Sequence, residues 1–117
     1  MISKPLVSIV ITSFNRLDDL KVAVANTKTI DYPYLEIIIA DGGSTDGCVE
    51  YISAIKDERI KSIIIGENKG NCYTTNEGMR NAKGKYIVII DDDAYLENSV
   101  IGKTVEIFEN NDNLGSI

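Results

Sequence analysis

The chain has 117 residues, of which 44% are hydrophobic and none is histidine, and its formal net charge is −6. This length suits a single compact domain over residues 1–117, and the acidic balance argues against a nucleic-acid partner because no basic patch could neutralise phosphates. The lack of histidine excludes histidine-containing catalytic triads, imidazole bases and histidine zinc sites, so any acid–base or metal chemistry must use carboxylates.

Short apolar runs alternate with helical patterns along the whole chain. The apolar runs predict strands at residues 6–12, 35–40, 60–65 and 85–90. The helical patterns predict helices at residues 17–28, from about 45 to 55, and at 71–82 and 97–110. Polar residues near two helix starts are the candidate N-caps: Asn15 or Asp18 for the first helix, and Ser44 or Thr45 for the second. Gly84 is predicted to stop the third helix in a left-handed conformation.

This alternation predicts an α/β domain, a Rossmann-like three-layer α/β/α fold with a mainly parallel sheet and helices on both faces. Such sheets bind ligands outside the carboxyl ends of their strands. Three polar clusters follow predicted strands, at residues 12–16, 41–44 and 91–93. Since the carboxyl ends of parallel strands meet at one end of the sheet, we predict that the three clusters form one site.

The stretch from Tyr86 to Asp93 is the most informative, because a buried apolar strand ends there in three consecutive carboxylates. Adjacent negative charges repel one another, and a divalent cation such as Mn²⁺ or Mg²⁺ would offset them. Side chains alternate along an extended segment, so Asp91 and Asp93 would share one side and Asp92 would point away. The alternative interpretation is a solvated acidic loop that closes the strand.

The other two clusters carry residues suited to a nucleotide. Asp41 could accept hydrogen bonds from a nucleobase or ribose, and the glycines after it allow the backbone to approach a ligand closely; the alternative is a tight turn with Asp41 as its cap. Phe14 offers a flat face on which a base could stack, and the alternative is that it packs in the core. Arg16 could pair with phosphate, but a solvated side chain is the favoured interpretation.

The third predicted helix carries further candidates. Gly70 precedes this helix, whose free N-terminal amides suit an anion, and Asn76 lies within it. Gly78 indicates close packing against the sheet or a ligand, because a helical glycine costs about 1 kcal/mol relative to alanine. Cys48 and Cys72 have no metal-ligand spacing and are interpreted as free, structural thiols.

Three segments, taken together, resemble a known family: Val7–Arg16, Tyr32–Gly47 and Asn68–Leu96. In their order and spacing they are similar to the nucleotide-binding half of family 2 glycosyltransferases, which have the GT-A fold. The resemblance covers nearly the whole chain, and the strand that ends in the aspartate triplet is its most diagnostic part. Gly42 departs from the pattern, because the family commonly has a second acid there, and this change could weaken nucleotide contacts.

The resemblance also implies roles for individual residues. Thr12 and Phe14 would line the base pocket, and Asp41 would contact the base or ribose. The predicted nucleotide-sugar contacts are Thr12, Phe14, Asn15, Asp41, Gly43, Ser44, Gly70, Asn76, Asp91 and Asp92. Asp93 would be the principal ligand of Mn²⁺ or Mg²⁺, with Asp91 beside it.

The function that this resemblance implies is metal-dependent transfer of a sugar, with inversion, from a nucleotide-diphosphate sugar to an acceptor hydroxyl. UDP is the expected nucleotide, and the acceptor, a glycan or a lipid-linked glycan, is not identified. In the family the acceptor site and the catalytic base come from the half that follows, so the base is expected beyond Ile117. We therefore assign no catalytic residue and expect the chain to be truncated and inactive alone.

A non-catalytic nucleotide-binding or interaction module is the main alternative, because the acceptor machinery is missing. A phospho-receiver domain would need acids where the chain has Ser13, Phe14 and Gly66, and a nucleotidyltransferase would need a glycine-rich first loop. Apolar surface left uncovered by truncation predicts a homo-oligomer. With no signal peptide or membrane-spanning run, we predict a cytoplasmic location, peripheral to the membrane in a longer protein.

Overall fold

Strands and helices alternate along the chain, as the apolar pattern predicts. The computed structural model describes residues 5–91 and 99–110. The strands are β1 (Val7–Ser13), β2 (Leu35–Asp41), β3 (Ile60–Ile64) and β4 (Tyr86–Asp91). The helices are α1 (Leu17–Thr27), α2 (Cys48–Ser53), α3 (Asn71–Arg80) and α4 (Val100–Asn110). None of these helices in the described ranges is long and apolar enough to cross a membrane.

The four strands form one parallel sheet in the order β3-β2-β1-β4. The chain moves outward from β1 through β2 to β3 and then returns to the other side of β1. This reversal opens a crevice at the carboxyl ends of β1 and β4, where open parallel sheets bind ligands. The register pairs Ser13 with Asp41 and Thr12 with Asp91, so the predicted clusters on these strands are neighbours. The predicted parallel α/β fold is confirmed.

One face of the sheet carries the main hydrophobic core. Alternate residues of β1, such as Ile9 and Ile11, pack there with side chains of α1, α2 and α4. Each of these helices buries a large aliphatic side chain, Leu20, Ile52 and Ile101, at 0–2% exposure. Both central strands are buried along their whole length, which explains why they have continuous apolar runs rather than an alternating pattern.

The opposite face is covered by α3, which crosses β1 and β2 closely. A Cβ atom at Gly78 would lie only 2.5 Å from Val10 Cγ1, so the helix can reach this position only with glycine. The close packing predicted from Gly78 is therefore confirmed, and the sheet is its partner. On the same face, Ile87 and Ile89 of β4 pair in register with Ser8 and Val10 and stay 43% and 46% exposed.

Three predicted helix-end assignments are wrong. Gly84 does not stop α3, which ends at Arg80 and is followed by a right-handed residue. A Cβ at Gly84 would lie 2.6 Å from the Ser8 nitrogen, so the glycine is needed for contact with β1. The predicted caps of α1 and α2 are also replaced by one residue: Asp46 accepts hydrogen bonds from the N–H groups of Leu17 and Cys48, at 3.0 and 3.2 Å.

A buried carboxylate joins three strands at the amino end of the sheet. Glu36 accepts hydrogen bonds from Ser8 Oγ at 2.5 Å and from the Lys83 N–H at 2.8 Å, and it forms an ion pair with Lys61. Ser8 Oγ in turn accepts the N–H of Gly84 at 2.8 Å. This network fixes the connection between α3 and β4 to the central strands.

Candidate functional site

Three loops meet at the carboxyl ends of β1, β2 and β3. We call residues 12–16, 41–46 and 66–70, together with Asp91, the rim. The N–H of Gly42 donates to the Ser13 carbonyl at 2.8 Å, which joins the first two loops. A Cβ at Gly43 would lie 2.8 Å from the Glu67 carbonyl carbon, so the third loop packs directly on this glycine. The structure thus brings together the polar clusters that follow β1 and β2, and adds the loop after β3.

Asp41 lies at the centre of the rim, with an exposure of 0%. Its Oδ1 atom accepts the hydroxyls of Ser13 and Ser44, at 2.9 and 2.5 Å. Its Oδ2 atom accepts the N–H groups of Gly43 and Ser44, at 3.0 and 2.8 Å. The predicted contact of Asp41 with a base or ribose stays a prediction, and it would require one of these four hydrogen bonds to break.

Asn15 and Ser44 fasten the first two loops to each other. The Asn15 N–H donates to Ser44 Oγ at 2.9 Å, and the Thr45 N–H donates to Asn15 Oδ1 at 2.8 Å. Asn15 has a φ of 53°, a left-handed conformation that asparagine tolerates better than most residues. Two predicted site residues are therefore part of the contact between the loops.

Asp46 is a residue of the rim that the sequence analysis missed. Hydrogen bonds from Cys48 and from the Leu17 N–H hold the pKa of Asp46 below its ordinary value. Burial, followed by the hydrogen bond to Asp46, raises the pKa of the Cys48 thiol to about 11. Cys48 is therefore a neutral, buried thiol at physiological pH, in agreement with the structural role predicted for it. The position of Asp46 just before a helix was the available signal, because aspartate is a favoured N-cap residue.

Phe14 stands at the rim with 44% of its surface exposed, so the alternative that it packs in the core is wrong. Below it, Gly42 lies between the first loop and α3. A Cβ at Gly42 would lie 3.8 Å from Phe14 Cδ1 and 3.1 Å from Thr74 Oγ1. Thr74 is buried and donates its hydroxyl to the Gly70 carbonyl at 3.1 Å. The exposed ring of Phe14 thus lies beside the tightly packed Gly42, and the buried Thr12 is close by at the end of β1.

The remaining predicted residues have different positions. Gly70 is the N-cap of α3, with a φ of 91°, and its N–H donates to Asn68 Oδ1 at 3.0 Å. Asn76 lies on the exposed side of α3, since Thr74 and Gly78 are on the side that faces the sheet. The structure therefore places Gly70 at the rim and does not bring the Asn76 side chain to the contact between the loops.

The start of the aspartate triplet reaches the rim. Asp91 is the last residue of β4 and pairs in register with Thr12 of β1. Asp92 and Asp93 lie outside the described residues. Among the residues that the structure describes, no group of three or more acidic or cysteine side chains could hold a metal ion. The metal ligands predicted at Asp91 and Asp93 thus remain predictions.

A family model and several curated proteins match this chain over most of its length. The family model of glycosyl transferase family 2 matches residues 8–117. The glucosyltransferase WfaP of Escherichia coli, named for transfer from UDP-Glc to alpha-D-GlcNAc-diphosphoundecaprenol, is 36% identical over 104 residues. These residues cover 89% of this chain and 41% of that protein. The chain likewise spans only 42% and 44% of two other curated relatives that it matches.

Two solved structures show the same fold. A mannosyltransferase from Pyrobaculum calidifontis, in complex with GDP-Man and Mn²⁺, has a TM-score of 0.81 at 24% identity. The alignment covers 91% of this chain and 33% of that chain. S. aureus TarS 1–349 in complex with UDP has a TM-score of 0.82 at 16% identity, covering 90% of this chain and 32% of that chain.

Proposed function

Because the chain belongs to glycosyl transferase family 2, we propose that its rim binds the nucleotide part of a nucleotide-diphosphate sugar, with UDP as the nucleotide. The observation that carries this proposal is the convergence of three loops beside the exposed Phe14, at the end of the sheet where parallel folds bind ligands. The exposed aromatic face of Phe14, beside the tightly packed Gly42, suits stacking on the flat face of a nucleobase.

Each part of the rim suits a different part of the ligand. Phe14 would stack on the base, with Thr12 beside it. Gly43 packs against the loop after β3 and belongs, with Asn15 and Ser44, to the fastened loops that would contact the nucleotide sugar. The first turn of α3, after Gly70, offers amides and a positive dipole end for the diphosphate. The other proposed nucleotide-sugar contacts are Asn76, Asp91 and Asp92.

A divalent cation, Mn²⁺ or Mg²⁺, is part of the proposal. Asp91 begins the acidic triplet next to Thr12, and carboxylate oxygens are the ligands that these hard cations prefer. Asp93 would be the principal ligand and Asp91 the second. When bound, the cation would neutralise charge on the departing diphosphate. The mannosyltransferase that shares this fold was solved with Mn²⁺ and GDP-Man.

The reaction proposed for the longer protein is transfer of the sugar, with inversion, to an acceptor hydroxyl. The E. coli relative is named for a lipid-linked acceptor, which supports a glycan or lipid-linked glycan acceptor here. The chain spans about two-fifths of the length of such relatives, and the base is expected beyond Ile117. A cytoplasmic location, peripheral to the membrane in a longer protein, stays a prediction.

Calorimetric titration with UDP, with and without Mn²⁺, tests the nucleotide and metal proposals. We expect Mn²⁺-dependent binding of UDP, and we expect Asp93→Ala to weaken it by about tenfold or more, the loss typical of a hydrogen-bonded or liganding charge. Glu58→Ala, an exposed acid before β3, is the control and should bind like the wild type. Failure of UDP to bind would contradict the nucleotide proposal, whereas binding that is independent of metal and of Asp93 would contradict only the metal assignment.

A non-catalytic nucleotide-binding or interaction module is the second candidate. The two functions differ in turnover. Sugar transfer or donor hydrolysis by this chain alone would exclude the non-catalytic module, and we expect binding without transfer.

A further inference from the structure

We infer that Asp41 is a positioning residue, whose carboxylate holds the two loops that present Phe14 and does not itself contact the nucleotide. This inference rests on the proposed function only for the identity of the ligand. It differs from the role implied by resemblance, in which Asp41 contacts the base or ribose.

The carboxylate of Asp41 already accepts four hydrogen bonds. An ionised carboxylate has about four acceptor positions on its two oxygens. In Asp41 each oxygen accepts two donors, from Ser13 and Ser44 on Oδ1 and from Gly43 and Ser44 on Oδ2. The side chain is 0% exposed. A base or ribose donor would therefore have to displace one of these four donors, and the displaced group would lose its hydrogen bond to the carboxylate.

A path of hydrogen bonds leads from this carboxylate to Asn15, the residue next to the exposed aromatic ring. Ser44 donates its hydroxyl to Asp41, and the same oxygen accepts the N–H of Asn15. Asn15 has a left-handed backbone, and its side-chain oxygen accepts the N–H of Thr45. The second loop therefore holds both the backbone N–H and the side chain of Asn15. Phe14 directly precedes Asn15. Loss of the Asp41 charge would thus loosen Ser44 first, then Asn15, and then the orientation of Phe14.

The chain provides a matched control on the same strand. Glu36 lies five residues before Asp41, is also buried, and accepts the hydroxyl of its in-register partner Ser8, as Asp41 accepts that of Ser13. Glu36 is at the amino end of β2, away from the rim. Glu36→Gln therefore removes a buried, serine-bonded carboxylate from β2 without touching the loops.

Amide hydrogen exchange tests the inference without any ligand. In Asp41→Asn we expect exchange at Asn15 and Thr45 to become about tenfold faster or more, although Asp41 contacts neither amide, because local opening becomes easier. Ser44→Ala should have the same effect, and the double variant should add little to either single one. Glu36→Gln should leave these two amides unchanged. Unchanged exchange at both amides in Asp41→Asn would overturn the inference.

Titration with modified nucleotides separates positioning from direct contact. UDP, N3-methyl-UDP and 2′-deoxy-UDP would be titrated into the wild type, Asp41→Asn and Ser44→Ala. If Asp41 is a positioning residue, Asp41→Asn should weaken the binding of all three ligands by the same factor. If Asp41 contacts the nucleotide directly, Asp41→Asn should abolish the difference in affinity between UDP and one modified ligand. That loss of discrimination would overturn the inference.

If Asp41→Asn does not fold, Ser13→Ala and Ser44→Ala replace it in both experiments, since they remove the two hydroxyl donors and keep the carboxylate. If no nucleotide binds, the proposed function fails and the exchange experiment still decides the role of Asp41.

Discussion

Gly78 illustrates how a single residue is selected by packing rather than by helix propensity. Alanine would favour the helical backbone of α3, but its Cβ would lie 2.5 Å from Val10 Cγ1, inside a fully buried strand. A β-branched side chain in a packed core has few alternative rotamers, so neither partner can move away easily. Gly102 of α4 provides a contrast, because a Cβ there would meet Tyr32 at an ordinary distance of 4.0 Å.

We expect Gly78→Ala to lower the free energy of unfolding by about 1–3 kcal/mol, because overpacking outweighs the gain in helix propensity. Gly102→Ala should instead raise it by up to about 1 kcal/mol. Urea denaturation of both variants measures these changes. Equal stabilisation by the two substitutions would show that α3 can shift away from Val10.

Glu36 gives a second prediction for a single residue, on pH dependence. Burial alone would raise the pKa of Glu36, but hydrogen bonds from Lys61, the Lys83 N–H and Ser8 together hold it below its ordinary value. A carboxyl whose pKa is lower in the folded state stabilises the fold above its unfolded pKa, and this contribution is lost as the pH falls through the folded pKa.

We therefore expect Glu36→Gln to lower the free energy of unfolding by about 1–3 kcal/mol at neutral pH, because it weakens hydrogen bonds to a buried charge. The difference from the wild type should narrow as the pH falls below about 4, the ordinary range of a glutamate. Denaturant unfolding at several pH values measures it, with Glu58→Gln as an exposed control. A difference that does not change with pH would contradict the pKa direction.

The helices show where local sequence patterns stop being informative. Their positions follow from apolar spacing, and all four are found close to the predicted ranges. The N-caps predicted for α1 and α2 were wrong, because the N–H groups of Leu17 and Cys48 are bound by Asp46, which is 29 residues from Leu17 in the sequence. The Asp46 carboxylate at the rim thus accepts the first N–H group of both α1 and α2. These hydrogen bonds connect the orientation of the two helices to the loops of the site.

We expect Asp46→Ala to lower the free energy of unfolding by about 1–2 kcal/mol, since it removes the capping acceptor of two helices. Asp18 was predicted as a cap but lies within α1. Asp18→Ala should therefore lower the free energy of unfolding by less, because it removes only a favourable interaction with the helix dipole. Thermal unfolding of the two variants gives the comparison. A larger loss in Asp18→Ala would show that the local cap dominates.

At the scale of the whole molecule, β4 is an edge strand with an unpaired side among the described strands. Ile87 and Ile89 lie on the face of the sheet where α3 packs on β1 and β2, and they are 43% and 46% exposed. An exposed, apolar edge strand is a template for pairing with another chain. The predicted homo-oligomer would therefore form through β4 of two copies of the chain.

We expect the average mass measured by light scattering to increase with concentration, and Ile89→Lys to reduce this increase, because a charge on an edge strand opposes pairing. Val22→Lys, at an exposed apolar position on α1, is the matched control and should associate like the wild type. A monomeric mass for the wild type at every concentration would contradict this prediction.

The parallel α/β fold could be predicted from the sequence alone, because continuous apolar strands and amphipathic helices follow from burial, which depends on each residue's own chemistry. The sequence also placed Thr12, Asp41 and Asp91 at strand ends, and their order along the chain carried the family resemblance. The hydrogen bonds from Ser13 and Ser44 to Asp41 could be known only from the three-dimensional structure. Such bonds join residues brought together by strand register and loop packing, and a linear pattern contains neither.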